Sequence, residues 1–358
     1  MKRAWPFFWR YLLVVAISCV LAFVISQNKA AAQAAAVVQA VDYSAAGPLP
    51  VKSVTQSWTD ARRTRELPVR IYQPEPTASS AAGGDKDAAT ARFPVILFSH
   101  GLGGNRDGGA RWARHWASHG YVVVAIQHPG SDDSLWKGRA PGEVEQGLKR
   151  GMTLTNLGLR VGDVQFAIDE VVRRSAAGET EFVRADAKKL GMSGHSFGAQ
   201  TTLSVAGQKA PTLGGQSGLD LRIIAAVAFS PNARNKNRLP HQFGDIRIPL
   251  MSITGTEDGS ILGDGTRYQD RITPWEHMPA GGKYLLVFDA GDHMVFGGHE
   301  LAGRRKETAR DREIQADVNA ATLAFWNATL KGDQVARKWL DSGEINVLLE
   351  SRDRFAAK

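Results

Sequence analysis

The segment Gly194–Gly198, with the sequence GHSFG, can carry nucleophilic chemistry. A short apolar run precedes it, and a stretch that can form a helix follows from Ala199. A serine at a sharp turn between strand and helix has a strained backbone, and small residues two positions away on either side let both elements approach closely. A hydroxyl is a weak nucleophile at neutral pH and needs a base that a third group orients. The segment therefore predicts a nucleophilic Ser196 if such partners exist elsewhere.

Two later strand ends carry groups that can activate a serine. An apolar stretch at Leu250–Thr254 runs into Asp258, and another at Tyr284–Phe288 runs into His293. Functional groups of a parallel sheet gather at the carboxyl ends of its strands. We therefore expect both side chains to lie beside Ser196.

The chain order serine, acid, histidine is that of the α/β-hydrolase catalytic triad. It predicts Ser196 as the nucleophile, His293 as the base and Asp258 as the acid that orients the imidazole. Glu257 remains open as an alternative acid. His299 ranks second as the base because it lies further from the end of its strand.

A glycine-rich loop follows the apolar strand predicted at residues 94–98, with the sequence SHGLGGN from Ser99. Attack on an ester creates an oxyanion, which preorganised backbone N–H groups stabilise. We predict the N–H groups of Leu102 and Phe197 as these donors. The alternative is a turn that only joins a strand to a helix.

Other polar residues with suggestive spacing have simpler interpretations. His115 and His119 have the i, i+4 spacing of a metal pair, but no intervening glutamate or obvious third ligand accompanies them, which favours a solvated helix face. Asp163 is interpreted as part of a polar helix face, with Arg160 as an available ion-pair partner. We predict neither a metal nor an organic cofactor.

Apolar strands alternate with helical stretches from Phe93 onward. Continuous apolar runs are typical of strands buried on both faces, and branched aliphatic residues recur on one face of a helix at 151–174. Before them, residues 51–58 and 67–72 alternate apolar and polar residues around a polar turn. The pattern predicts a mostly parallel sheet with helices on both faces and an N-terminal antiparallel hairpin. Together with the chain order of the triad residues, it favours an α/β-hydrolase fold.

The first 32 residues have the pattern of an export signal. Cations precede an apolar run at 11–25, and alanines at 30–32 offer a cleavage site. The run is short for an uncleaved membrane anchor, the less favoured alternative. It contains Cys19, the only cysteine of 358 residues, so a mature chain without it has no thiol chemistry. Four cations leave with this segment, which halves the net charge of +8, and no basic stripe interleaved with aromatics indicates nucleic-acid binding.

These observations divide the chain into four parts: a signal peptide at 1–32, a flexible lead at 33–50, a single hydrolase domain at 51–345 and a C-terminal tail at 346–358. We expect an exported protein, periplasmic or secreted, without stable membrane insertion after signal removal. The sequence leaves the oligomeric state open.

Three segments together resemble the platelet-activating factor acetylhydrolase group of serine esterases: 98–103 (FSHGLG), 117–123 (ASHGYVV) and 194–198. They are also similar to bacterial hydrolases described as predicted dienelactone hydrolases. The resemblance spans most of 51–345, including Phe325-Trp326-Asn327. It implies an α/β-hydrolase fold and cofactor-free hydrolysis of carboxylic esters.

The chain departs from these relatives at two positions. Dienelactone hydrolases use a cysteine nucleophile where this chain has Ser196. In the acetylhydrolases the acid follows the strand after the nucleophile's helix, but residues 228–232 (AFSPN) contain no carboxylate, which favours Asp258. The loop at 258–261 is similar to the acid loop of cutinase-like polyesterases.

The sequence thus predicts an exported serine hydrolase of lipid-like or short-chain acyl esters, acting on a small-molecule or lipid ester. A cutinase-like polyesterase and a non-catalytic binding protein on the same scaffold are the alternatives. Trp136, Trp275 and Met278 either line an apolar acyl pocket or pack loops onto the domain.

Overall fold

The computed structural model describes residues 42–75, 91–209, 218–233, 238–260, 263–299 and 306–358. Their strands form a single nine-stranded sheet. The strands are β1 (Val51–Asp60), β2 (Arg65–Pro74), β3 (Phe93–Ser99), β4 (Val122–Ile126), β5 (Ala185–His195), β6 (Ile223–Phe229), β7 (Leu250–Glu257), β8 (Lys283–Asp292) and β9 (Arg354–Ala357).

Eight α-helices accompany these strands in the described residues. They are α1 (Ala110–Ser118), α2 (Pro141–Gly151), α3 (Leu154–Ala177), α4 (Phe197–Val205), α5 (Leu239–Phe243), α6 (Tyr268–Glu276), α7 (Ala309–Trp326) and α8 (Gln334–Asp341). A π-helical turn, Asn327–Lys331, extends α7. Short 3-10 turns lie at Asp133–Leu135, Val295–Gly297 and Glu344–Val347.

The strand order in the sheet is β1-β2-β4-β3-β5-β6-β7-β8-β9. From β4 to β8 all neighbouring strands are parallel, whereas β1 pairs antiparallel with β2, β2 with β4, and β9 with β8. Helices connect the parallel strands, because the chain must cross back to the end of the sheet where the previous strand began before it can start a parallel one. This is the α/β-hydrolase fold with its N-terminal hairpin, as the sequence predicts.

Alternate residues of the central strands face two different hydrophobic layers. In β3, Ile96 and Phe98 pack with the tryptophans of α1 and α7, whereas Val95 and Leu97 pack with the aliphatic face of α3. All four side chains are at most 1% exposed. The two layers therefore hold the strand ends between them as a rigid base for the loops.

The longest helix, α3, is bounded by local signals. The Thr153 side chain accepts a hydrogen bond from the N–H of Asn156, and Gly178 ends the helix in the left-handed region at φ 69°.

No described helix is both long enough and apolar enough to cross a bilayer.

Several boundaries differ from the sequence-based division. The predicted helix at 151–174 begins only at Leu154, because α2 ends at Gly151. Residues 354–357, predicted to lie in a tail, form the edge strand β9. In the predicted lead, Tyr43 is buried against Trp339, with ring centroids 5.2 Å apart. The predicted signal peptide and residues 33–41 lie outside the described residues.

Candidate active site

Ser196 occupies the turn between β5 and α4 with φ 57° and ψ −113°. This left-handed conformation is rare for a residue with a side chain and costs about 1–3 kcal/mol. The turn is possible because glycines flank it: a Cβ on Gly198 would lie 1.9 Å from the carbonyl oxygen of Ser99, and one on Gly194 would lie 2.4 Å from that of Gly198. The packed glycines therefore hold the serine at the carboxyl end of the sheet.

The side chains of Ser196, His293 and Asp258 form one hydrogen-bonded row. The Ser196 Oγ lies 2.9 Å from His293 Nε2, and His293 Nδ1 lies 2.7 Å from Asp258 Oδ1. Ser196 is partly exposed, His293 is 4% exposed and Asp258 is fully buried. The row thus runs from an accessible hydroxyl to a buried carboxylate.

The Asp258 carboxylate is fixed by neighbours on two elements. Its Oδ2 accepts a hydrogen bond from the Thr254 hydroxyl at 2.8 Å. The Nε of Arg271, on α6, lies 2.7 Å from both Oδ1 and the main-chain oxygen of Asp258. Glu257, the alternative acid, is exposed at the end of β7. The structure therefore brings Asp258 to the imidazole.

A second histidine supports the loop that carries His293. His195 Nε2 donates to the main-chain oxygen of His293 at 2.9 Å, and the two ring centroids are 4.6 Å apart. Burial lowers the pKa of His195 well below its usual value, so this ring is neutral near pH 7. His299, the second-ranked base, is exposed, and it is His293 that reaches Ser196.

The glycine-rich loop after β3 lies against Ser196, since a Cβ on Gly101 would be 3.5 Å from the serine Cβ. The N–H groups of Gly103 and Gly104 donate to the main-chain oxygens of Ser131 and Gly101. Within the described part of the chain, no such acceptor meets the Leu102 N–H. Phe197 is the first residue of α4, where an N–H has no acceptor within its own helix. Phe197 thus follows the serine in the chain, and Leu102 follows Gly101, which lies beside it.

The other predicted residues contact the body of the domain. His115 and His119 hydrogen-bond the carbonyl oxygens of Tyr43 and Ala45, at 3.0 Å each. His115 is buried, so the prediction of a solvated helix face is wrong for it, because the N-terminal segment covers that face.

The three predicted pocket residues differ in position. Met278 is buried in a cluster with Leu203 of α4, and Trp275 packs against the cluster of Ile272, Leu285 and Val287. Trp136 instead reaches the glycine-rich loop, where its Nε1 donates to the Gly103 oxygen at 2.6 Å. The contacts of Met278 and Trp275 are those of loop packing.

A second row of serine, histidine and aspartate lies behind the glycine-rich loop. Ser99 Oγ is 2.9 Å from His128 Nε2, and His128 Nδ1 is 3.0 Å from Asp163 Oδ2. All three residues are fully buried, which corrects the interpretation of Asp163 as part of a polar helix face. No spacing within α3 marks this burial, because neighbouring residues of a helix, such as Asp163 and Val164, lie about 100° apart around its axis.

Charges surround this second row closely. Asp163 pairs with Arg65 at 2.7 Å and with Arg63 at 2.9 Å. Burial alone would raise the pKa of Asp163, but hydrogen bonds from His128 and Arg65 hold it below its usual value. Burial and the nearby charge of Arg160 lower the pKa of His128 to about 4. His128 is therefore a weak base at neutral pH.

The chain has the α/β-hydrolase fold, with a serine at the turn between β5 and α4. Residues 75–137 match the family model described as platelet-activating factor acetylhydrolase, isoform II. The matched segment carries the glycine-rich loop and not Ser196, Asp258 or His293. A search of the curated proteins gave no match. The predicted resemblance to the acetylhydrolase group is confirmed over residues 75–137, and it supports a hydrolase of the lipase and esterase type.

Proposed function

We propose that the protein is a serine hydrolase that cleaves carboxylic esters through an acyl-enzyme. The observation that carries the proposal is the row in which a strained, accessible Ser196 contacts His293 at 2.9 Å and His293 contacts Asp258 at 2.7 Å. A nucleophile, a base and an orienting acid in hydrogen-bond reach are what acyl transfer by a serine requires.

The reaction follows from the tautomer that the acid imposes. The Nδ1–H of His293 donates a hydrogen bond to Asp258. Because Nδ1 therefore keeps its proton, Nε2 is free to accept the Ser196 proton as Oγ attacks the ester carbonyl. The tetrahedral intermediate then expels the alkoxide, which takes that proton from Nε2 and leaves as the alcohol. Water then attacks the acyl carbon while its proton goes to Nε2. The second tetrahedral intermediate collapses as the C–Oγ bond breaks, Oγ takes the proton back from Nε2, and the carboxylic acid leaves.

The oxyanion of each intermediate would lie between the N–H groups of Leu102 and Phe197. Donors that are already in place stabilise charge as it develops, and one such donor is worth about 3 kcal/mol of transition-state stabilisation. The Leu102 N–H, which meets no main-chain acceptor among the described residues, and the first N–H of α4 support this assignment. No step of this scheme needs a metal or an organic cofactor.

The substrate class in this proposal is a lipid-like or short-chain acyl ester. The match to the acetylhydrolase model across the glycine-rich loop supports it, since that loop borders the acyl carbonyl. Export by the signal at residues 1–32 is part of the same proposal. N-terminal sequencing of the protein from a periplasmic or secreted fraction tests it, and an intact Met1 there would contradict cleavage.

Covalent labelling tests the assignment of the nucleophile. A fluorophosphonate probe should modify Ser196 alone. Peptide mass mapping should find Ser99 unmodified, although Ser99 also contacts a histidine that is bonded to an aspartate. The labelled protein should lose hydrolysis of p-nitrophenyl acetate in proportion to labelling. An unlabelled Ser196 in folded protein would instead identify a binding protein on this scaffold.

A chain-length series then places the substrate within the class. Turnover of p-nitrophenyl esters from acetate to palmitate, measured beside a short-acetyl phospholipid, should peak at the acyl length that the site accepts. Hydrolysis restricted to insoluble polyester films would indicate the polyesterase alternative.

A further inference from the structure

Arg160 of α3 is a charged side chain that is fully buried beneath the glycine-rich loop. Its Nη1 donates to the main-chain oxygen of His100 at 2.7 Å, and its Nη2 lies 3.5 Å from that of Gly101. These are the two residues before Leu102. The guanidinium therefore holds the backbone that presents the Leu102 N–H.

The same guanidinium also contacts the side chain of Phe197, whose N–H is the second predicted donor. Its carbon lies 4.4 Å from the centre of the Phe197 ring, in a cation–π arrangement. Phe197 follows Ser196 directly and begins α4. One side chain thus touches both segments whose N–H groups border the serine.

Two further contacts fix the position of Arg160 itself. Its Nε donates to the Ser131 hydroxyl at 2.8 Å, and its Nη1 reaches the Ser99 hydroxyl at 3.3 Å. Ser99 is in turn held by His128, which bonds Asp163 one helical turn beyond Arg160. The second serine–histidine–aspartate row is therefore linked to the guanidinium through the Ser99 hydroxyl.

Among the described residues, no carboxylate forms an ion pair with the Arg160 guanidinium. Its hydrogen-bond partners are uncharged groups, and Asp163 is shared between Arg63 and Arg65 instead. Burial lowers the pKa of Arg160 to about 9, which leaves it protonated near pH 7. Burying such a cation costs several kcal/mol, and an apolar side chain would fill the same space at lower cost.

We propose that Arg160 is a positioning residue that sets the separation and direction of the Leu102 and Phe197 N–H groups toward the oxyanion. The inference rests on the proposed hydrolase function. Oxyanion donors act in the transition state more than in the ground state, so their displacement lowers kcat and leaves KM nearly unchanged.

The test compares Arg160→Met with the matched control Arg65→Met. Both remove a guanidinium from the same buried network, but Arg65 contacts Asp163 and the Pro129 oxygen and not the glycine-rich loop. We expect Arg160→Met to lower kcat for p-nitrophenyl acetate by about 10- to 100-fold at a KM within about twofold of wild type. Arg65→Met should lower the melting temperature while its kcat, per fluorophosphonate-titrated site, stays near wild type.

Two additional measurements keep the inference testable whatever the activity. Arg160→Lys retains a cation and a folded core but lacks the planar fork, so its kcat should lie between those of wild type and Arg160→Met. Hydrogen exchange of the peptide that covers residues 100–105 should be faster in Arg160→Met than in Arg65→Met.

Distinct outcomes separate this inference from the proposed function. Equal losses of kcat in Arg160→Met and Arg65→Met, or unchanged exchange at 100–105, would overturn the positioning role. A wild-type protein that neither hydrolyses esters nor accepts the fluorophosphonate would overturn the proposed function. The exchange comparison would then still decide whether Arg160 orders the loop.

Discussion

Two rows of serine, histidine and aspartate lie next to the glycine-rich loop, and their hydrogen bonds are nearly the same length. The first joins Ser196, His293 and Asp258 at 2.9 and 2.7 Å, and the second joins Ser99, His128 and Asp163 at 2.9 and 3.0 Å. By distance alone, both have the form of a catalytic triad.

The two serines differ in access and in backbone. Ser196 is partly exposed and sits in a strained turn, whereas Ser99 is fully buried at the end of β3. An ester can therefore reach only the first hydroxyl. Gly198 packs closely against the main chain of Ser99 and so keeps Ser196 in its strained turn. A residue of the second row therefore helps to position the serine of the first.

The two rows also differ in the charges around the histidine. Arg160 donates to Ser99, and its charge lowers the pKa of His128 beyond the effect of burial. A base with a pKa of about 4 cannot accept a serine proton readily at pH 7. Hydrogen-bond geometry is thus necessary for a triad, while access and charge environment decide whether it can react.

Removal of each serine gives the sharpest contrast between the rows. Ser196→Ala should lower kcat for p-nitrophenyl acetate by about 10⁵-fold or more, because no nucleophile remains. Ser99→Ala should lower it by less than about tenfold and should cost about 1–2 kcal/mol in the free energy of unfolding, through the lost hydroxyl contacts. Steady-state kinetics and urea unfolding measure the two effects; equal kinetic losses would mean that the distinction between the rows is mistaken.

The two aspartates should divide activity from stability. Asp258→Asn should lower kcat by about 10⁴-fold, because an amide favours the wrong tautomer of His293. Asp163→Asn should lower the free energy of unfolding by about 3–5 kcal/mol, because Arg63 and Arg65 lose their buried partner. Its kcat per fluorophosphonate-titrated site should fall much less than that of Asp258→Asn, and the reverse ranking would contradict the roles assigned here.

Acid should weaken the second row through its histidine. The folded protein binds fewer protons than the unfolded chain between pH 6.5 and about 4, because the pKa of His128 falls from about 6.5 to about 4 on folding. The free energy of unfolding should therefore decrease as the pH falls through this window, by on the order of 3 kcal/mol from His128 alone.

Burial shifts the pKa of His100 and His195 in the same direction, which adds to this loss. Urea unfolding at pH 7, 5.5 and 4.5 measures the slope. His128→Gln should be less stable at pH 7 and should show a shallower slope. A slope as steep as that of wild type would assign the acid sensitivity to other groups.

Local sequence patterns predict much of the fold. The alternation at 51–58 predicts β1, the apolar runs at 94–98 and 250–254 predict β3 and β7, and the branched aliphatic residues within 151–174 predict the buried face of α3. Such features depend on residues a few positions apart, which is why periodicity reveals them. The edge strand β9 has no comparable signal, because its four residues gain their order from pairing with β8.

The sequence by itself determined the chemical types and the chain order of Ser196, Asp258 and His293, because each follows a recognisable strand in a fold whose strand ends converge. Only the tertiary structure decided that Asp258, and not Glu257, meets the imidazole, since a one-residue difference at the end of β7 separates a buried side chain from an exposed one. The tertiary structure also decided that Ser99, His128 and Asp163 form a second hydrogen-bonded row. The sheet places β4 beside β3, which brings His128 to Ser99, and α3 buries Arg160 and Asp163 against them through contacts that no local spacing encodes.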